Sequence, residues 1–253
     1  NGIHMLTHSF LKSVGFDDPS QVRLYGYGGH RLSENDVTSW RDDLCEVPLW
    51  REGDRMLFYA NGPVQWRMES DKTFQHIRNT SSEYGYYFLT ADTTSAPVTF
   101  PASEALPKRA GAAVSTTPAY VLHEMDEFAW LPGGRNLVEN YDYLNGNVRN
   151  YSLETSGAHS AVNGVLDICF THNASAATLL SVTTGDSMLA TLRLAPIDTH
   201  GVAASTTSSC QFPLDGTGDK QTVKLTHDRF AGVPGRLDYL RLNYTRHIGL
   251  SVP

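Results

Sequence analysis

The chain has 253 residues, enough for one large domain or two of ordinary size, and carries 27 acidic against 20 basic residues for a formal charge of −7. No basic stripe is present, which argues against a nucleic-acid partner, and no run of about 18 apolar residues is present to span a membrane as a helix. Plentiful Gly, Ser, Thr, Asn and Pro, with 12 Tyr and 10 Phe, favour strands and turns over helices.

In chain order, "GIHMLT" alternates as a strand and meets "HSFLKSVGF", where Phe10, Leu11 and Val14 share one face of a short helix closed by Gly15. "VRLYGYGGH" follows as a strand running into a glycine turn. "LCEVPLW" and "RMLFYA" form a hairpin turning at Gly53-Asp54. "VQWRM" is the next strand, and "TFQHI" is expected to pair with "YGYYFLT". A Thr/Ser/Ala/Pro-rich stretch with Pro97, Pro101, Pro107 and Pro118 reads as a boundary. Then come "YVLHEMDEFAWL", stopped by "PGG", and from about Asn147 a succession of strands: "VRNYSLE", "VNGVLDICFTH", "ATLLSVTT", "SMLATLRLA", "KQTVKLTH" and "RLDYLRLNYTRHIGLSV". Short strands separated by Gly/Asp/Asn turns indicate an antiparallel sandwich. The expected fold is mainly β. An N-terminal β-rich α+β module over 1–103 precedes an antiparallel, jelly-roll-like β-sandwich over 104–253 with a linker-like start.

The chemical motifs are fragments. Gly26 and Gly28 fit the first two places of a dinucleotide fingerprint, but the third is Arg31 and no helix pattern follows. These glycines read as a backbone needing positive φ, and His30 beside them has no catalytic companion. "HEMDE" has His123 where a zincin has its first ligand, but Glu127 stands in the second place. His200 and Cys210 imitate a Cys/His dyad, but "VAASTTSS" between them reads as a polar turn rather than core strands. Cys169 sits in an alternating strand and reads as packing; Cys169–Cys210 is the one disulfide pair worth testing. Asp42 and Asp43 would point to opposite faces of a strand, and Asp215 and Asp219 are too few for calcium. Trp50, Tyr59, Trp66, Tyr86 and Tyr87 fit either a sugar-binding face or core pairs. No catalytic residue, cofactor or metal is therefore assigned.

The order of segments resembles the N-terminal region of PorU-type sortases, the gingipain-like cysteine peptidases of the Bacteroidetes type IX secretion system. The resemblance rests on "GIHMLTHSFLKSVGFDDPSQVRLYGYGG", "DDLCEVPLW", "GDRMLFYANGPVQW", "FQHIRNTSSEYGYYFLT", "LHEMDEF…GGR" and "RLDYLRLNYTRHIGL". Cys45 and the run "NLVENYDY" after Arg135 depart from the family pattern. The resemblance implies that these modules precede a caspase-like peptidase domain beyond Pro253, which holds the catalytic His and Cys. It implies a parent exported to the outer-membrane surface, cleaving C-terminal signals from secreted cargo and passing the cargo to lipopolysaccharide through a thioester. The implied partners are the chain's own downstream peptidase domain, secreted cargo proteins and an outer-membrane barrel. A surface adhesin or carbohydrate-binding module is the alternative that the aromatic content and sandwich pattern leave open.

Overall fold

A computed structural model describes residues 1–32, 43–100, 114–198, 200–215, 219–227 and 234–249. The chain forms two compact units, Asn1–Arg67 with Gln75–Gly111, and Met68–Phe74 with Ala112–Pro253. Much of the linker-like stretch, 101–113, lies outside the described residues.

The first unit begins with β1 (Gly2–Thr7) and α1 (His8–Ser13), whose N-terminus is capped by the Thr7 hydroxyl accepting from Phe10 N–H at 3.2 Å. Gly15, at φ +99°, follows the helix as expected of a glycine stop. Only Leu11 of the predicted apolar face is buried; Phe10 and Val14 stay exposed, because six residues give the helix a single inward position. Next come β2 (Val22–Gly28), β3 (Glu46–Val47), β4 (Trp50–Glu52) and β5 (Arg55–Ala60). They are followed by β6 (Val64–Met68), β7 (Phe74–Arg78) and β8 (Tyr86–Ala91). The hairpin at Gly53-Asp54 is present, with Gly53 at φ +57°. The predicted strand "LCEVPLW", however, divides between two sheets. β3 joins β2 and β8, whereas β4 joins β5 and β1. Pro48, which has no N–H to give a ladder, marks the break. A second expectation also fails: β7 pairs with β6, and β8 pairs with β2. The five-residue connection from Glu69 to Thr73 closes locally, with Glu69 N–H donating to Thr73 O at 2.8 Å, so β7 finds its partner before β8 is reached.

The glycines of "YGYGG" now have a cause. Gly26 (φ +141°) and Gly28 (φ +71°) form an irregularity at the end of β2, and the expected turn follows at Gly29. Their neighbours converge with the loops at Gly62 and Gly85. A Cβ on Gly28 would lie 2.6 Å from Asn61 O, and one on Gly85 would lie 2.5 Å from Gly29 N. Gly29 N–H donates to Asn61 O (2.8 Å), and Asn79 Nδ2 donates to Gly29 O (3.0 Å). Three backbone segments meet here with no room for side chains, so close packing requires glycine at these positions. The small core of this unit holds Leu11, Val22, Leu24, Leu49, Met56 and Phe58.

The second unit contains β9 (Thr116–Glu124), β10 (Phe128–Ala129), β11 (Leu137–Val138), β12 (Val148–Glu154) and β13 (Gly164–His172). It continues with β14 (Thr178–Thr184), β15 (Ser187–Leu194), β16 (Ala204–Phe212), β17 (Lys220–His227) and β18 (Gly235–His247). Two four-stranded sheets result, ordered β16-β13-β18-β9 and β12-β17-β14-β15, with every pairing antiparallel. The pairs nest: β9 with β18, β12 with β17, β13 with β16, β14 with β15. Such a rolled-up hairpin is jelly-roll connectivity. Leu166, Ile168, Phe170, Leu240 and Leu242 from one sheet and Leu180, Val182, Val223 and Leu225 from the other build its core. The turn expected at "VAASTTSS" is instead most of strand β16. Its Thr and Ser alternate between half-buried and exposed positions on a sheet edge, a pattern an apolar-run reading misses.

Candidate interaction surfaces

In the first unit, β1, β5 and β4 carry apolar side chains on both faces. Met56 and Phe58 point into the core. On the other face, register places Ile3 beside Tyr59, Met5 beside Leu57 and Leu57 beside Trp50. Ile3, Met5, Tyr59 and Trp50 are 67%, 57%, 49% and 43% exposed. The charges nearest in register, Glu52 and Arg55, neutralise each other at 2.7 Å on the hairpin tip. The β3-β2-β8 sheet also shows aromatics outward, with Tyr25 beside Phe88 and Gly28 beside Tyr86. There the buried Arg23 guanidinium links Glu46 (3.3 Å) and Asp92 (3.4 Å).

The second unit instead organises polar groups. Outward on β13, the Asp167 carboxylate accepts from Arg241 Nε (3.0 Å), Arg241 Nη2 (2.7 Å) and Ser209 Oγ, so its oxygens are already engaged. Asn243 mimics a ladder partner for Phe74, accepting from its N–H at 2.7 Å and donating to its carbonyl at 3.2 Å. Arg236 lies 3.7 Å over the Phe128 ring and pairs with Asp142 at 3.1 Å. At the sandwich flank, the buried Glu139 carboxylate accepts from Tyr151 OH (2.8 Å) and meets Arg149 at 2.8 Å. Tyr151 gives its proton to Glu139, so in the 3.0 Å Tyr143–Tyr151 pair Tyr143 donates. Burial pushes the Glu139 carboxyl up, but His123, the Tyr151 hydrogen bond and Arg149 outweigh it and leave it below its ordinary value. A further clasp joins the sheets: His172 Nε2 lies 2.7 Å from Ala195 O, and Thr178 Oγ1 bridges His172 Nδ1 (3.2 Å) and His227 Nε2 (3.1 Å). Since a carbonyl only accepts, His172 Nε2 carries the proton; in the neutral ring Thr178 then donates to Nδ1 and accepts from His227.

The remaining sequence fragments fall at the following places. His123 ends a strand, so His123 and Glu127 share no helical face; its Nε2 stands 3.5 Å from Glu139. His200 precedes β16 and Cys210 sits near its far end, with the strand from Ala204 to Cys210 alone spanning about 20 Å. Cys210 lies opposite Leu166 and packs on the core, whereas Cys169 lies opposite Thr207 on the outer face with Asp167. The two thiols therefore point to opposite sides of the sheet, and both are free. Burial pushes the Cys169 thiol up to about 11 and raises Cys210 as well, the opposite of an activated nucleophile. His30 is half-buried, and burial, then the N-terminal ammonium, lower its pKa. Asp42 and 216–218 lie outside the described residues. Asp43 caps Leu44 N–H (2.9 Å), and Asp219 accepts from Gly157 N–H (3.3 Å). Among the described residues no three His, Cys, Asp or Glu side chains converge as a metal site. Trp50, Trp66 and Tyr87 form no common platform: Trp50 faces outward, Trp66 pairs with His76, and Tyr87 packs inward on Phe58.

No family model and no curated protein matches the chain. Among solved structures, dimeric latent PorU from Porphyromonas gingivalis superposes with a TM-score of 0.80 at 25% identity, over 98% of this chain and 24% of that one. The chain has the build of a PorU-type N-terminal region. It spans about a quarter of the length of the PorU chain it matches, and the PorU-type match takes in both units. Two other likenesses are loose. The CBM36-1 domain of a multidomain xylanase from the hindgut metagenome of Trinervitermes trinervoides reaches a TM-score of 0.31 at 15% identity, over 50% of this chain and 96% of that one. The PRD1 vertex protein P5 reaches 0.25 at 12% identity, over 63% and 91%. Neither overlap carries an argument.

Proposed function

We propose that the chain is the non-catalytic N-terminal part of a PorU-like cysteine peptidase and sortase. The parent acts at the outer-membrane surface on the C-terminal signals of type IX secretion cargo. These two units hold, shield or orient its peptidase domain, or help to recognise cargo. The observation that carries this reading is the PorU likeness along 98% of the chain. The chemistry of the described residues is in keeping with a supporting role, since Cys169 and Cys210 are kept as thiols by burial and Asp167 and Glu139 are engaged by their own neighbours.

The test compares the 253-residue chain with the longer protein that its gene encodes, using peptides that end in type IX signals. Cleavage is expected from the longer protein alone, and Cys169→Ser and Cys210→Ser leave it unchanged. Thiol-dependent cleavage by the 253-residue chain, lost on either substitution, would refute the reading.

A further inference from the structure

We propose that the outward face of the β1-β5-β4 sheet docks the remainder of the chain's own polypeptide, the part that a PorU-like protein carries beyond these residues. The inference rests on the function proposed above and gives it a surface. Ile3, Met5, Leu57, Tyr59 and Trp50 form one contiguous patch by register, with no charge at its centre. Methionine, aromatics and depleted charge are the composition of a protein–protein interface core. A sugar site needs polar groups among its rings, and this patch sets apolar Ile3 and Leu57 beside Tyr59, and Leu57 beside Trp50, instead. The edge strand β1 also has no partner on its outer side among the described residues, leaving backbone groups for a docked segment.

Size selects the occupant. Four large side chains roughly half exposed present on the order of 400 Å² of surface. A stable complex between separate copies needs about 800 Å² per partner, twice this. A tethered domain meets the patch at high effective concentration, avoids much of the entropic cost of association, and commonly docks through smaller interfaces. The matched PorU chain is about four times the length of this one, so such a tethered partner exists in a protein of that plan.

Methionine oxidation by dilute peroxide, read by mass spectrometry, tests this. Met5 (57% exposed) is the reporter, Met188 (59%) in the second unit is the accessible control, and Met56 (1%), on the same sheet, is the buried control. Relative to Met188, Met5 is expected to oxidise at least tenfold more slowly in the longer protein than in the 253-residue chain. Met5→Glu is expected to leave the unfolding midpoint of the 253-residue chain within about 2 °C, and to restore peroxide reactivity at Trp50 in the longer protein. Equal Met5 reactivity in both proteins overturns the proposal. So does a 253-residue chain that sediments as a dimer with Met5 protected, which would assign the face to a second copy. A longer protein that cleaves type IX signals with Met5 exposed defeats the docking alone; one that is inactive with Met5 protected defeats the proposed function alone.

Discussion

The two units solve burial in different ways. Among the described residues the sandwich gathers eighteen buried apolar side chains into one cluster, whereas the first unit gathers six. The sandwich folds its polar groups into satisfied clusters, at Asp167–Arg241, Glu139–Tyr151 and His172–Thr178–His227. The first unit spends its aromatics outward, at Trp50, Tyr59, Tyr86 and Phe88. A sheet buried on one side by a shallow core and apolar on both sides is built for a partner; a sheet pair closed around its own core is not. Substitutions that attack depth should therefore hurt the sandwich most, and those on the outward faces should hardly register in folding.

The largest effect is expected from Phe170→Ala. Its ring is fully buried and packs 5.2 Å from the rings of Tyr143 and His227. The loss is about 3–5 kcal/mol, read as faster hydrogen exchange across β13 and β18. Arg241→Met comes next at about 3 kcal/mol, since it strands the buried Asp167 carboxylate; restoring most of that with Asp167→Leu would show that the stranded charge, not lost packing, is the cause. Glu139→Gln is expected to cost about 1–3 kcal/mol. It also changes the response to acid. The folded Glu139 pKa lies below its unfolded value, so its stabilisation is complete above the unfolded pKa and fades as pH falls through the folded one. Denaturant midpoints followed from pH 7 down to pH 3 should lose part of their acid slope in the variant.

In the first unit the sensitive place is not the core but the backbone junction. Gly28→Ala puts a Cβ 2.5 Å from the Tyr87 hydroxyl and 2.6 Å from Asn61 O at φ +71°. The cost is about 1–3 kcal/mol, and exchange should rise in β2 and β8 while β13 stays protected. Gly53→Ala meets nothing within 4 Å, so it isolates the φ cost alone.

The sandwich is legible in the sequence because strands such as β17 alternate against one deep core: "KQTVKLTH" sends Gln221, Val223, Leu225 and His227 inward. It missed β16 because Ser and Thr fill half-buried edge positions where no apolar period shows. In the first unit the period is present but ambiguous. "GIHMLT" and "RMLFYA" are apolar at outward as well as inward positions, so nothing local says which side is the core. Pairing was misjudged for the same unit, where short strands separated by short loops admit several partners. The candidate surface was invisible for a related reason: Trp50 and Tyr59 look like core aromatics until register puts them on the open face.

The smallest expected effect is therefore the one that separates the two kinds of apolar residue on a single sheet. Ile3→Thr keeps a β-branched side chain, and so keeps strand propensity, while removing apolar surface from a position already 67% exposed. Folding stability should change by less than about 0.5 kcal/mol. Leu24→Ala, 2% exposed in the small core, removes a comparable apolar group and should cost about 2–5 kcal/mol by leaving a cavity. Both are read by chemical denaturation of the 253-residue chain. If Ile3→Thr cost as much as Leu24→Ala, the β1 face would be part of the folded core of the chain, and the contrast between an inward and an outward apolar face would fail.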